Sequence, residues 1–171
     1  MSDLRLRPVT DDDHEWLIEL HNDPTVLVNM NDARPVTMED HLKWWSGVKD
    51  SRHDERLVFC DGDTRIGFTK FIRMDFDNKN CLLGADIHKD HRGLRLAKPM
   101  WTLMLKRCFY FHNMHRVGLT TAEYNTVGQR VYRGLGFKVE GVITESLLRN
   151  GKYWDQQVMY LLKREWEWQN R

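Results

Sequence analysis

Two stretches of this chain hold residues whose types and spacing could do chemistry. In DIHKDHRGLRLAKPMW, residues 86–101, a strand-like run enters a basic turn with one glycine and leaves as an apolar helical pattern. Arg92, Arg95 and Lys98 crowd the start of that helix, where unpaired N–H groups and the helix dipole already repel cations. Three more cations are reasonable there if an anion sits in the turn, and a phosphate or pyrophosphate suits such a turn. The glycine spacing is neither GxxxxGK[ST] nor GxGxxG, so this is not a P-loop or a dinucleotide turn. The second stretch, AEYNTVGQRVYRGLGFKVEGV, spans residues 122–142. Its Asn125 reads as a helix N-cap. Its Tyr132 is a phenol of pKa about 10, suited to giving up a proton, although Val131 and Leu135 leave a packing role open.

Proton acceptors are harder to choose. Asp86 is a charge among the apolar Leu82, Leu83 and Ile87, and a buried charge without a task is costly. It must therefore reach a wet crevice or meet a charged ligand. His88 follows two residues later, and Glu123 is the carboxylate of LTTAEYN. The three stay level as candidate bases.

The elements that hold these residues can be read from periodicity. Leu4 to Val9 alternates as a half-buried strand. Asp11, Asp12 and Asp13 precede the helical HEWLIELHN and suit its positive end. Thr37 and Asp40 form a near capping box for a second helix. Two strand-like runs joined through Asp61-Gly62 follow, then a third from Cys81 to His88. Residues 94–112 read as a long helix, Arg116 to Tyr124 as a strand, and Thr126 to Leu135 as a helix ended by Gly136. Asn150-Gly151 marks a closing hairpin. This order predicts a mixed α/β protein with a mostly antiparallel sheet and one central pair of parallel strands. Such a pair opens a crevice at its carboxyl end, where ligands bind.

Composition narrows the classes. The 171 residues predict a single domain spanning 1–171. A net charge of +1 and the lack of a basic stripe argue against nucleic acid as a partner. No run approaches the roughly 20 apolar residues of a membrane span, and the N-terminus lacks the apolar core of a signal peptide. Cys60, Cys81 and Cys108 are odd in number and isolated, which suits a reducing, cytoplasmic setting. His88-x-x-His91 and His112-x-x-His115 lack a cysteine or HExxH frame, so no metal is expected. A homodimer is left open.

Taken together, HRGLRLA and the later NTVGQRVYRGLGFKVEG resemble the GNAT superfamily of acetyl-CoA-dependent N-acetyltransferases. The first stretch is similar to its [RQ]-x-x-G-x-[GA] signature over Arg92–Ala97; the second to its N-x-x-A-x-x-x-Y-x-x-x-G-F pattern at Asn125, Tyr132, Gly136 and Phe137. The likeness is strongest to the ribosomal-protein, spermidine and amino-sugar acetyltransferases, and covers nearly the whole chain. It implies a sheet of about seven strands flanked by about four helices, with a splayed parallel pair. It implies acetyl-CoA as co-substrate, held at Ile87, His88, Arg92, Gly93, Leu94, Arg95, Leu96, Ala97, Lys98, Asn125, Arg130 and Tyr132. Tyr132 matches the tyrosine that protonates the departing thiolate. Arg95 replaces a glycine of the pattern, and its side chain is expected to clamp a cofactor phosphate. Gly128 stands where the family often has alanine and weakens its helix slightly.

The implied reaction is direct acetyl transfer to a small-molecule primary amine, of polyamine or amino-sugar type. Asn29, Glu39, Trp44 and Asp86 are expected on the acceptor side, and Asp23, Asp32, Glu39 and Asp40 could hold a polycation. A protein N-terminus as acceptor and a silent coenzyme-A-binding domain are the alternatives.

Overall fold

The computed structural model describes residues 3–169. Strands β1 (Leu4–Pro8), β2 (Glu55–Asp61), β3 (Thr64–Asp75), β4 (Asn80–Ile87), β5 (Arg116–Ala122), β6 (Lys138–Arg149) and β7 (Lys152–Leu162) form one sheet in the order β1-β2-β3-β4-β5-β7-β6. Helices α1 (His14–Asn22), α2 (Pro24–Leu27), α3 (Met38–Val48), α4 (Ala97–Lys106), α5 (Thr126–Gly134) and α6 (Lys163–Gln169) accompany it. Neighbouring strands are antiparallel except β4 and β5. The mixed α/β fold expected from the sequence is the fold observed.

The parallel pair is short. Only Asn80–Leu82 pairs with Arg116–Gly118. Beyond that point β4 runs on against β3 to Ile87, while β5 runs on against β7 to Ala122. Their facing edges part and leave backbone groups of β4 without a ladder partner, as an added extended chain would require.

Several local signals act as read. Thr37 Oγ1 accepts the Asp40 N–H at 3.2 Å while Asp40 Oδ2 accepts the Thr37 N–H at 3.0 Å, a reciprocal cap for α3. Asn150 and Gly151 both take positive φ, +51° and +75°, the primed turn that matches strand twist. Other boundaries shift. Helix α4 begins at Ala97, not Leu94, because Gly93 and Arg95 adopt φ of +77° and +60°, which no right-handed helix contains. Strand β4 stops at Ile87, so His88 lies beyond it. Two short helices, α2 and α6, were not foreseen. Asp13 stands at the N-terminus of α1 and is also a buried partner of Arg7 (2.6 Å) and Arg65 (2.9 Å).

Helices cover both sheet faces. Met100, Trp101, Met104 and Leu105 of α4 pack on Phe59, Phe71, Leu83 and Met159. On the other face Leu17, Leu20 and Val26 meet Phe68. Each such side chain contributes about 1.5–3 kcal/mol by leaving water, so α4 and α1 are firmly seated and the parting strands are held from both sides.

Candidate active site

The turn before α4 is an anion cradle by backbone alone. From Gly93 through Lys98 no amide N–H finds an acceptor among the described residues. The first bond to close is Met100 N–H to Leu96 C=O, at 3.1 Å. Arg95 in the left-handed region followed by Leu96 in the right-handed one (φ −79°) turns successive N–H groups to one concave side, the geometry of a phosphate nest. Gly93 needs its glycine for φ of +77°. Arg95 takes its φ of +60° despite a Cβ, at a cost of about 1 kcal/mol.

The three cations of this turn divide. Arg95 and Lys98 are exposed and have no ion pair among the described residues. Arg92 is engaged elsewhere: its guanidinium donates to the Ile87 carbonyl at 2.9 Å and to Thr25 Oγ1, and lies 3.4 Å from Asp23. It therefore fastens the turn to α2 instead of presenting a free charge. Leu94 is exposed and Ile87 packs against the α4 core. Arg130, on α5, is exposed and has no ion pair among the described residues.

Helix α5 is capped by Asn125, whose Oδ1 accepts the Gly128 N–H at 3.0 Å and whose Nδ2 donates to Thr121 Oγ1 at 3.2 Å. Gln129, which sequence reasoning passed over, is buried and donates to the carbonyls of Ala122 (3.1 Å) and Glu123 (2.9 Å). It ties α5 to the end of β5 next to the splay. Tyr132 rests edge-on against Trp101, with ring centres 4.9 Å apart, and near Phe137. Burial, and then the negative charge of Asp86, push its phenol well above the ordinary value. It holds its proton, the state a general acid needs.

A second concavity of about 330 Å³ lies on the other sheet face, between α1, α3 and strands β2 to β4. Trp44, Asp86, Asp40, His41, Arg56 and Lys70 all line it. Asn29 and Glu39 are exposed outside it, the Asn29 amide bonding the Thr25 carbonyl at 2.9 Å. Asp86 Oδ2 is 2.7 Å from Lys70 Nζ. Gly67 lets β3 approach here, since a Cβ would stand 2.7 Å from the Asp86 carbonyl. His41 Nε2 is 3.0 Å from His14 Nδ1; burial first, then the neighbouring His14 and His21, lower His41 to about 4.

The other two base candidates lie apart from this cavity. His88 caps the short turn after β4, stacks on Trp16 at 5.8 Å and has a buried Nε2 with no hydrogen-bond partner among the described residues. Glu123 is exposed at the end of β5. The acids read as polycation holders are largely occupied. Asp23 binds Thr25 and Arg92. Asp32 is held to about 2 chiefly by hydrogen bonds from Arg34. Asp40 caps α3. Among the described residues no group of three metal-ligating side chains stands together.

A splayed parallel pair, a free-amide turn at the helix after its first strand, and a partly buried tyrosine on the helix after its second define an acyl-carrier-dependent transferase fold. The family described as Acetyltransferase (GNAT) domain matches residues 3–138, and the chain belongs to it. An L-amino acid N-acetyltransferase of Escherichia coli (strain K12) is 27% identical over 166 residues, 95% of this chain and 100% of the relative. A spermidine N(1)-acetyltransferase of the same strain is 22% identical over 151 residues, 88% of this chain and 81% of the relative. A crystal structure of spermidine N-acetyltransferase from Vibrio cholerae, in complex with CoA and spermine, superposes with a TM-score of 0.91 at 22% identity, covering 96% of this chain and 98% of that one. The chain is an acyltransferase with acetyl-CoA as co-substrate. The donors fit that group: free amides at Gly93 to Lys98 for a diphosphate, and an unladdered β4 edge for its amide-bearing arm.

Proposed function

We propose that this protein transfers an acetyl group directly from acetyl-CoA to a primary amine of a small molecule, both bound together. The observation that carries the reading is the run of acceptor-free amides from Gly93 to Lys98 beside the parting strands. Acetyl-CoA supplies the activated thioester. The amine approaches from the cavity floored by Asp86 and Lys70. An ammonium of pKa about 10.4 must first lose a proton, and Asp86, the base candidate lining that cavity, is the residue we assign to receive and orient it. The amine nitrogen bonds the carbonyl carbon, the carbon–sulfur bond breaks, and Tyr132 gives its proton to the sulfur. The proton shed by the amine restores the phenol through solvent.

The acceptors named for the relatives differ, an L-amino acid in one and spermidine in others, so the names alone do not select between them. Among the described residues no helix is long and apolar enough to cross a membrane. Three buried free thiols support a reducing, cytoplasmic setting. Val139, Val142 and Ile143 are exposed on the edge strand β6, which supports a homodimer paired there. The test of function is thiol release from acetyl-CoA with a panel of amines, alongside calorimetric binding of coenzyme A. Binding without acceptor-dependent release would turn the protein into a silent coenzyme-A-binding domain.

A further inference from the structure

We propose that the acceptor amine carries an anionic group of its own, a carboxylate or a phosphate, which is received by Lys70 and Arg56 while its ammonium meets Asp86. This rests on the acetyltransferase reading and narrows its substrate. The argument is one of charge inventory in a half-enclosed space. Four ionic side chains border the cavity: Asp40, Asp86, Arg56 and Lys70. Asp40 is spent on the α3 cap, where Oδ2 accepts both the N–H and the hydroxyl of Thr37. Each cation has one carboxylate partner, Asp86 for Lys70 and Asp54 for Arg56, but the Arg56 guanidinium still has a buried Nε without an acceptor among the described residues.

The cations are register partners. Arg56 on β2 stands directly opposite Lys70 on β3, a like-charge pair that is destabilising unless an anion lies between or beside it. Lys70 passes over Gly84, whose missing side chain leaves the path open, and reaches Asp86. Arg56 is almost wholly buried, its side chain only 7% exposed. It holds Asp54 at 3.2 Å and the Phe71 carbonyl at 2.8 Å, and its Nε is buried with no acceptor among the described residues.

A zwitterion suits this floor. Its ammonium and its anion would exchange the internal Lys70–Asp86 pair for two charge-assisted contacts, and no net charge would be buried. A polycation would instead bring two or more ammonium groups to a cavity whose Asp86 is already paired with Lys70, and would leave the Arg56 Nε without an acceptor. Free amino acids and phosphorylated amino sugars both supply the required chemistry.

The experiment uses the full-length protein and acetyl-CoA with three acceptor sets: the L-amino acids, glucosamine 6-phosphate, and spermidine with spermine. The expected result is a kcat/KM at least about tenfold higher for the best anionic amine than for either polyamine, the worth of one net charge-assisted hydrogen bond. The carboxylate and phosphate arms identify the source of the anion. Lys70→Met is expected to raise the KM for that acceptor about tenfold while leaving the KM for acetyl-CoA within about twofold; Lys70→Arg is expected to restore it. A polyamine preferred over every anionic amine would overturn the proposal. So would an unchanged acceptor KM in a folded Lys70→Met protein. Calorimetry separates this failure from that of the underlying reading: intact coenzyme A binding with polyamine preference sinks only the anionic acceptor, whereas absent coenzyme A binding sinks both.

Discussion

The side-chain amide of Asn125 folds over the α-carbon of Gly128 so closely that a Cβ there would stand 2.6 Å from its Nδ2. Glycine at a place where the family often has alanine is thus a steric requirement of this particular cap, beyond the slight helix weakening read from the sequence. Gly128→Ala gains up to about 1 kcal/mol of helix propensity but displaces a cap worth about 1 kcal/mol and the Thr121 contact with it. The melting temperature is expected to fall. In an Asn125→Ala background the same change is expected to raise it. Additive effects in that cycle would remove the proposed coupling.

Tyr132 makes no hydrogen bond through its hydroxyl among the described residues, while its ring is packed on Trp101. Tyr132→Phe therefore keeps the packing and removes only the proton. Its kcat is expected to drop about a hundredfold, the lower range for a general acid, with the KM for acetyl-CoA and the melting temperature little changed. Equal turnover in both proteins would exclude Tyr132 as the acid. The raised phenol pKa adds that no loss of rate from Tyr132 ionisation should appear below about pH 10.

Arg95 combines a backbone strain with a free charge, and the two can be separated. Arg95→Gly relieves a φ of +60° and is expected to stabilise the fold by up to about 1 kcal/mol. Without the guanidinium, the KM for acetyl-CoA is expected to rise about tenfold. Arg95→Ala should show the same rise with no gain in stability. A KM unchanged in both variants would reject the phosphate clamp.

Acidification should lower the stability of the protein in two windows of pH. Burial and the His14 and His21 charges lower His41 to about 4, so the unfolded chain binds that proton first. The contribution of His41 is full above pH 6.5 and is lost as pH falls toward 4. Burial pushes the Glu55 carboxyl up, but hydrogen bonds from Arg107 at 2.6 Å and His112 at 3.0 Å bring it down to about 2. Its contribution is present above pH 4.5 and disappears toward pH 2. Melting temperatures across this range should show both slopes. His41→Gln is expected to flatten the first and leave the second.

Much of this was legible in residue order because the devices are local. The Thr37–Asp40 box, the Asn125 cap, the Asn150-Gly151 turn and the basic glycine turn before α4 each close within a few residues. Local geometry depends on neighbours in the chain, so type and spacing were enough. The family patterns at Arg92–Ala97 and Asn125–Phe137 are of the same kind.

Partners chosen across the fold were not legible. Arg92 looked like a phosphate ligand until α2 brought Asp23 and Thr25 against it. The floor of the cavity between α1, α3 and the sheet depends on one irregularity in the β2–β3 hairpin. The turn pairs Asp61 with Thr64 and Cys60 with Arg65; a bulge between Phe59 and Cys60 then shifts the register by one, so that Arg56 faces Lys70 rather than Thr69. A one-residue slip would turn the alternate face of the strand to the cavity. Residue order determined which groups this protein has and how each turn closes. Only the packed sheet decided which charges meet, because side chains far apart in sequence become neighbours through register, and register is settled by the whole core at once.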